Sequence, residues 1–131
     1  MMLHGIGNDI VKISRIDSTY RRFGDKFARR ILNPKEMTLL EKRKGDRQIQ
    51  FLAGRWCAKE AAFKAFSKAR IEFPEIVLLE DERGAPKLHF EGKAAELASS
   101  LGITATHVSI SHETEYVIAN VILEKNPTHK A

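Results

Sequence analysis

One short segment of the chain, residues 55–65, places charged side chains in an otherwise apolar stretch. Arg55, Lys59, Glu60 and Lys64 lie there among alanine, phenylalanine, tryptophan and cysteine residues. In a helix, Glu60 and Lys64 lie one turn apart on the same face, so Glu60 has a predicted cationic neighbour. A carboxylate beside cations in a partly buried helix indicates chemistry on a phosphate, although an ordinary surface salt bridge has the same spacing. Spacing alone does not decide between the two.

A second carboxylate, Asp9, follows two glycines in a predicted strand over residues 3–11. Gly5 and Gly7 indicate a bulge or the close approach of another backbone or a ligand. Isoleucines and a valine surround Asp9, and burying a carboxylate there is costly unless it meets a cation or hydrogen-bond donors. A turn capped by Asp9 is the alternative. If the fold brings Asp9 and Glu60 together, they supply two oxygen ligands for Mg²⁺, with phosphate oxygens and waters completing the shell.

Length and charge set limits on the fold and on its partners. The chain has 131 residues, enough for one domain over residues 1–131, and a net charge of +5 that suits an anionic partner. Its one cysteine, Cys57, excludes an internal disulfide and lies in the apolar helix, where we expect a buried thiol rather than a nucleophile. No secretory-signal pattern and no run of about 18 apolar residues is present, so we expect a cytoplasmic protein.

Hydrophobic periodicity predicts an α+β domain with a mainly antiparallel sheet packed against a long central helix. Ser14 with Asp17 is a candidate capping box, and Asn33 is a candidate cap before Pro34. Residues 126–131 are predicted to be a frayed tail. The predicted helices are 14–31 with a break at Gly24, 34–41, 48–68 and 93–101, and the predicted strands are 3–11, 75–80, 87–90, 106–111 and 116–123.

Two other features of the sequence have open interpretations. His112 follows a predicted strand, where binding residues often lie, and an ordinary hydrogen-bonded histidine fits that position equally well. The first helical region is strongly basic, with cations at 15, 21, 22, 26, 29 and 30 against acids at 17 and 25. Such a face is a solvated surface, a docking surface for an acidic protein, or a nucleic-acid-binding surface. The sequence contains no P-loop and no zinc-ligand spacing.

Two motifs, in this order and at this chain length, resemble those of holo-[acyl-carrier-protein] synthases, the small bacterial 4′-phosphopantetheinyl transferases. The resemblance extends over nearly the whole chain. It is carried by Gly5-Ile6-Gly7-Asn8-Asp9-Ile10-Val11, Phe51-Leu52-Ala53-Gly54-Arg55-Trp56-Cys57-Ala58-Lys59-Glu60-Ala61, Lys64-Ala65-Phe66, the Gly84-Ala85-Pro86 turn and the terminal His107-Val108-Ser109-Ile110-Ser111-His112 segment.

The resemblance implies the 4′-phosphopantetheinyl transferase fold and a Mg²⁺-dependent transfer of 4′-phosphopantetheine from coenzyme A to a serine of apo acyl carrier protein, with release of adenosine 3′,5′-bisphosphate. Asp9 and Glu60 would bind the Mg²⁺ with the pyrophosphate of coenzyme A, and Lys64 would share in catalysis. Asp9, Glu60 or a metal-bound water could accept the serine proton. We favour the water, because a carboxylate that holds Mg²⁺ is a poorer base.

The resemblance also implies how the substrates bind. It predicts a homotrimer with active sites at subunit interfaces, and neither a nucleic acid nor a membrane as a partner. After Phe66 the chain departs from its relatives, because Ser67-Lys68-Ala69-Arg70 replaces a glycine-rich segment, so no glycine contact is carried over there. The residues assigned to coenzyme A are Arg55, Lys64, Gly84, Pro86 and His112, and those assigned to the carrier protein are Arg15, Lys26 and Arg30.

Overall fold

The chain folds into five α-helices and two antiparallel sheets within residues 1–67 and 70–127, which the computed structural model describes. The three-stranded sheet has the order β1-β5-β4, and β2 pairs with β3. The elements are β1 Met2–Lys12, α1 Ile13–Phe23, α2 Asp25–Ile31, α3 Pro34–Glu41, α4 Asp46–Phe66, a 3₁₀ turn Phe73–Glu75, β2 Ile76–Glu80, β3 Pro86–Phe90, α5 Gly92–Ser100, β4 Ile103–His112 and β5 Tyr116–Lys125. The predicted α+β class with antiparallel strands and a long central helix is confirmed.

The predicted helix boundaries are largely confirmed, with one wrong cap. Gly24 separates α1 from α2 and has a positive φ of 58°. Asn33 caps α3 by accepting a hydrogen bond from Lys35 N at 3.0 Å. The predicted capping box at Ser14 is wrong because α1 already begins at Ile13, whose backbone N–H donates to Glu115 O at 2.8 Å.

The central helix α4 ends earlier than predicted. The expected span of 48–68 becomes Asp46–Phe66, and Ser67 follows it with a φ of 60°. Lys68 and Ala69, in the segment that replaces the glycine-rich loop of relatives, lie outside the described residues. So does the end of the predicted frayed tail, residues 128–131, whereas Asn126 still donates its backbone N–H to Gly102 O at 3.0 Å.

Strand β1 packs directly on the backbone of α4, which fixes where the functional residues lie. A Cβ on Gly7 would lie 1.8 Å from Ala61 O, and one on Gly5 would lie 2.1 Å from Ala65 O. The glycines therefore permit a contact that no side chain fits, as their position in the strand predicted. Because Asp9 follows Gly7 by two residues, it faces the same helix. None of the helices in the described residues is long and apolar enough to cross a bilayer.

Candidate active site

Asp9 and Lys64 form an ion pair between β1 and α4. Lys64 Nζ lies 3.1 Å from Asp9 Oδ1 and also donates to Asn8 O at 3.0 Å. The side chain of Asp9 is 17% exposed and that of Lys64 is 50% exposed. The cation that Asp9 was expected to require is therefore Lys64, and the helical i,i+4 salt bridge between Glu60 and Lys64 is not found among the described residues. Asp9 lies inside a strand, opposite Ala119, rather than capping a turn.

Glu60 lies beside this ion pair. Burial and the nearby carboxylate of Asp9 raise the pKa of Glu60, while Lys64 acts in the opposite direction. A carboxylate whose pKa is raised by a second carboxylate is a group that a bound cation would stabilise. Asp9 and Glu60, predicted from separate parts of the sequence, are thus brought together with Lys64.

The donor set of this site fits a magnesium ion that is shared with a substrate. Asp9 and Glu60 offer hard oxygen ligands, and Mg²⁺ is usually held by one or two carboxylates together with phosphate oxygens and waters. A complete protein cage is absent, since no cluster of three or more His, Cys, Asp or Glu residues suited to a metal occurs in residues 1–67 and 70–127. These residues could hold Mg²⁺ only with ligands that a phosphate or water supplies.

Arg55 and three other predicted substrate-binding residues line a separate cleft of about 460 Å³. Gly84 and Pro86 come from the turn between β2 and β3, where Gly84 has a φ of 80° that favours glycine. His112 comes from the end of β4, opposite Val117. Residues from three segments that are distant in sequence therefore meet at one cleft. Asp9, Glu60 and Lys64 are not among its lining residues.

Arg55 is held firmly in the wall of this cleft and is only 8% exposed. Its Nη2 donates to Leu78 O at 3.0 Å, and its guanidinium carbon lies 3.9 Å from the centre of the Phe51 ring. Burial lowers the pKa of Arg55, and the carboxylate of Glu36 opposes that shift. An arginine remains charged under such conditions, so the cleft keeps a fixed positive group.

Two further arginines at the cleft were missed by the sequence analysis. Arg43 and Arg47 both line it, and the guanidinium of Arg43 lies 4.5 Å from the centre of the Phe51 ring. Both arginines lie in the charged segment between the predicted helices 34–41 and 48–68. Basic residues just before the helix that carries Arg55 were the signal that could have identified them.

A buried ion pair between α3 and α4 was missed as well. Glu36 and Lys59 are fully buried, and Lys59 Nζ donates to Glu36 Oε1 at 2.5 Å. The ammonium also donates to Ile31 O at 2.5 Å and to Phe73 O at 3.1 Å, so its three hydrogens have three acceptors. Burial lowers the pKa of Lys59 to about 8 despite the attraction of Glu36. Lysine in an apolar segment was the available signal.

The residues assigned to the carrier protein lie on α1 and α2 and are not among the residues that line the cleft of about 460 Å³. Arg15, Lys26 and Arg30 are exposed. Lys26 and Arg30 border a depression of about 240 Å³ together with Phe23 and Phe27, and Arg15 lies outside its lining. The structure therefore offers cations beside the exposed ring of Phe23 and the partly buried ring of Phe27, which is a surface suited to an acidic partner.

Cys57 lies on α4 next to the charged residues and is fully buried. Its Sγ lies 3.2 Å from Asp9 O, and burial raises the pKa of the thiol to about 12. A neutral, inaccessible thiol is not a nucleophile. The expectation of a buried thiol is therefore confirmed.

Comparison with known proteins identifies the family. Residues 5–121 match the model of the 4′-phosphopantetheinyl transferase superfamily. The chain is 41% identical over 127 residues to a holo-[acyl-carrier-protein] synthase of Photobacterium profundum, covering 95% of this chain and 99% of that protein. It is 43% identical over 125 residues to that of Halorhodospira halophila, covering 93% and 98% of the two chains.

Solved structures agree with the sequence comparison. The holo-[acyl-carrier-protein] synthase of Neisseria meningitidis superposes with a TM-score of 0.88 at 33% identity, covering 95% of this chain and all of that one. That of Bacillus anthracis, solved in complex with coenzyme A (3′,5′-ADP), gives a TM-score of 0.80 at 35% identity and covers 96% and 100%. With its glycine-bearing strand packed on α4 and the family model matched over most of its length, this chain belongs to the 4′-phosphopantetheinyl transferase superfamily.

Proposed function

We propose that this chain transfers 4′-phosphopantetheine from coenzyme A to a serine of apo acyl carrier protein, giving holo acyl carrier protein and adenosine 3′,5′-bisphosphate. The observation that carries the proposal is the meeting of Asp9, Glu60 and Lys64 across β1 and α4. The near full-length similarity to holo-[acyl-carrier-protein] synthases supports it. Coenzyme A is the proposed donor because relatives have been solved with it bound.

Asp9 and Glu60 would hold the Mg²⁺ that such a reaction uses. When bound, the ion would offset the negative charge that develops on the adenosine phosphate as the bond between the two phosphates of the pyrophosphate breaks and the phosphopantetheine phosphate passes to the serine oxygen. Lys64 is a half-exposed cation that pairs with Asp9, and it would contact a phosphate oxygen of the substrate. Because the Lys64 side chain is half exposed, its ammonium would leave the carboxylate of Asp9 and pair with the substrate.

The cleft beside Arg55 would hold the nucleotide end of coenzyme A. Arg55 and His112 supply nitrogen donors, and Gly84 and Pro86 shape the opposite wall. Arg43 and Arg47 add positive charge to the same cleft. Charge-assisted hydrogen bonds to phosphate are among the strongest in proteins, so this lining favours a ligand that carries several phosphates.

The carrier protein would dock on α1 and α2 through Arg15, Lys26 and Arg30. These cations belong to a chain of net charge +5, and complementary charge speeds the encounter with an acidic partner. A carrier bound there would have to place its serine near Asp9 and Glu60. A cytoplasmic location and a single domain over residues 1–131 stay predictions of the sequence.

The homotrimer predicted from the resemblance has a matching surface on the sheet. The face of β1 and β5 opposite α4 carries Ile6, Ile10 and Ile118, which are 65%, 62% and 41% exposed. Ile10 pairs with Ile118 across the two strands, so these side chains form a continuous apolar patch. Exposed patches of this kind mark interaction sites, and a second and third copy of the chain would cover this one.

One assay tests the function directly. Purified protein is incubated with coenzyme A, apo acyl carrier protein and Mg²⁺, and the carrier is examined by mass spectrometry. We expect its mass to increase by one phosphopantetheinyl group, and we expect the increase to disappear when EDTA removes the metal. The competing interpretation, a basic nucleic-acid-binding module, leaves Asp9 and Glu60 without a role. An unmodified carrier together with salt-sensitive binding of an oligonucleotide would favour that alternative.

A further inference from the structure

The carboxylate of Glu36 lies between two cations of α4 in the protein interior. Its Oε1 accepts hydrogen bonds from Lys59 Nζ at 2.5 Å and from Asn33 N at 2.9 Å. Its Oε2 accepts one from Leu78 N at 3.2 Å and lies 3.6 Å from Arg55 Nε. Glu36 therefore joins α3, α4 and β2 at the base of the cleft.

The guanidinium of Arg55 has a fixed plane, and two of its nitrogens, Nε and Nη1, make no hydrogen bond within the described residues. Nη2 donates to Leu78 O and the group stacks on Phe51. Nε is buried, directed at Glu36, and is the single buried side-chain nitrogen or oxygen atom without a hydrogen bond in the described part of the chain. Within the same residues Nη1 donates no hydrogen bond to the protein, so it is available to a ligand in the cleft that Arg55 lines.

The distribution of charge leaves Arg55 net positive. Glu36 is closer to Lys59, at 2.5 Å, than to Arg55, at 3.6 Å. Among these three groups, one carboxylate between two cations leaves one surplus positive charge, and Glu80 and Arg43, which line the same cleft, add one charge of each sign near Arg55. Because Lys59 takes the tighter contact, that surplus remains on the guanidinium at the cleft. Without Lys59, the carboxylate would pair with Arg55 alone and neutralise it.

We infer that Glu36 is a positioning residue for coenzyme A, which acts by orienting the Arg55 guanidinium toward a phosphate in the cleft while Lys59 keeps that guanidinium uncompensated. The inference rests on the proposed function, because it takes coenzyme A as the anion. It gives the buried ion pair a role beyond packing, since a buried pair is often no more stabilising than apolar residues of the same volume.

A double-mutant cycle tests whether Glu36 acts through Arg55. The affinity for coenzyme A is measured by calorimetry, without carrier protein, for the wild type, Glu36→Gln, Arg55→Ala and the double variant. We expect Arg55→Ala to weaken binding roughly ten- to a hundredfold, as the loss of a charge-assisted hydrogen bond does. We expect Glu36→Gln to weaken it about tenfold when Arg55 is present and by less than about twofold in the Arg55→Ala background.

Two additional variants separate positioning from folding. Glu91→Gln is the matched control, because Glu91 also accepts from Asn33, at 3.0 Å, and pairs with Lys35 rather than with Arg55 in the described residues. The affinity of this variant for coenzyme A should equal that of the wild type. If Glu36→Gln fails to fold, the variant Glu36→Gln/Lys59→Met takes its place, because it removes both buried charges. Its affinity for coenzyme A is then measured with and without Arg55→Ala. Weaker binding than the wild type in that folded variant, with little further change from the same substitutions in the Arg55→Ala background, supports the inference.

Equal weakening by Glu36→Gln in both backgrounds would overturn the inference, and so would wild-type affinity in the folded variant. These results would leave the proposed function intact, since transfer to the carrier is measured separately. A wild-type protein that does not bind coenzyme A would refute the proposed function and the inference together.

Discussion

Helix α4 carries two pairs of charged residues whose surroundings are opposite. Arg55 and Lys59 face α3 and β2, where both are buried and both are near Glu36. Glu60 and Lys64 face β1, where they are partly exposed and near Asp9. Lys59 and Glu60 are adjacent in sequence, so about 100° of helical rotation separates a buried, hydrogen-bonded network from an open site.

The difference shows what each pair can do. Lys59 has all its hydrogens bonded to protein acceptors, so a ligand gains nothing by approaching it. Lys64 has a half-exposed side chain and an ion pair that a substrate can replace. The buried pair is suited to holding elements in place, and the exposed pair is suited to contacting a substrate.

The difference between the two faces of α4 depends on the packing of β1 against that helix. Gly7→Ala should disrupt this packing. The new Cβ would lie 1.8 Å from Ala61 O, which is backbone and cannot move aside without shifting α4 or β1. We expect at least about 3 kcal/mol of lost stability, at the upper end of overpacking effects. Urea unfolding followed by circular dichroism measures it, and a variant as stable as the wild type would contradict the packing of β1 on α4.

Gly54→Ala is the matched control for that prediction. Gly54 lies inside α4, and a Cβ there meets no atom within 4 Å. Alanine is the better helix former, so we expect a gain of roughly 0.5–1 kcal/mol in the same unfolding measurement. Loss of stability in both glycine variants would mean that the effect is not specific to the β1 contact.

Asp9→Asn removes one charge from the exposed site and tests whether that site acts in catalysis rather than in stability. We expect turnover to fall about a hundredfold or more, because electrostatic stabilisation at a phosphate is usually a large part of catalysis. The free energy of unfolding should change by only about 0.2–1 kcal/mol, the usual value of a solvent-accessible ion pair. Steady-state transfer at limiting Mg²⁺ is the measurement. A near wild-type rate would remove Asp9 from the proposed metal site.

Arg15→Glu tests a charged surface that lies outside α4. We expect a rise of about three- to tenfold in KM for the carrier protein, from exposed charge contacts worth up to about 1 kcal/mol each. The KM for coenzyme A should not change, and raising the salt concentration should reduce the difference between variant and wild type. Lys93→Glu, at an exposed position on α5, should leave both KM values unchanged. Equal effects on both substrates would exclude a dedicated carrier surface.

Chemical labelling of the Cys57 thiol should give the smallest effect of these tests. Cys57 is fully buried on α4 and burial raises its pKa to about 12, so the thiol is neutral at pH 8. We expect no reaction with Ellman's reagent in the native protein at that pH and one thiol per chain after denaturation. Rapid native labelling would show that this part of α4 opens, and would contradict the packing between β1 and the helix.

The sequence predicted the exposed site better than the buried network. Gly5 and Gly7 indicated a close backbone approach, and that approach is what brings Asp9 to Glu60 and Lys64. Glu36 forms a capping box with Asn33, and this short-range contact is enough to account for an acidic residue at that position. Its bonds to Lys59 and to Leu78 join residues 23 and 42 positions apart, and no local pattern reveals contacts at that separation.

Helix periodicity also had a limit. It placed Glu60 and Lys64 on one face but could not identify which element packs there, so the ion pair with Asp9 replaced the expected helical salt bridge. The roles of Arg55, Gly84, Pro86 and His112 came from the family resemblance alone. That these four line one cleft depends on how β2, β3 and β4 pack around α4, which is a tertiary property.

The division of labour along α4 is tested most directly by comparing Lys59→Met with Glu60→Gln, measuring both unfolding free energy and kcat for transfer. We predict that Lys59→Met loses about 3–5 kcal/mol of stability, because Glu36 is left as a buried charge without its nearest partner. We predict that Glu60→Gln keeps wild-type stability within about 1 kcal/mol and loses about a hundredfold or more in kcat. A Glu60→Gln enzyme with near wild-type kcat at limiting Mg²⁺ would contradict the account.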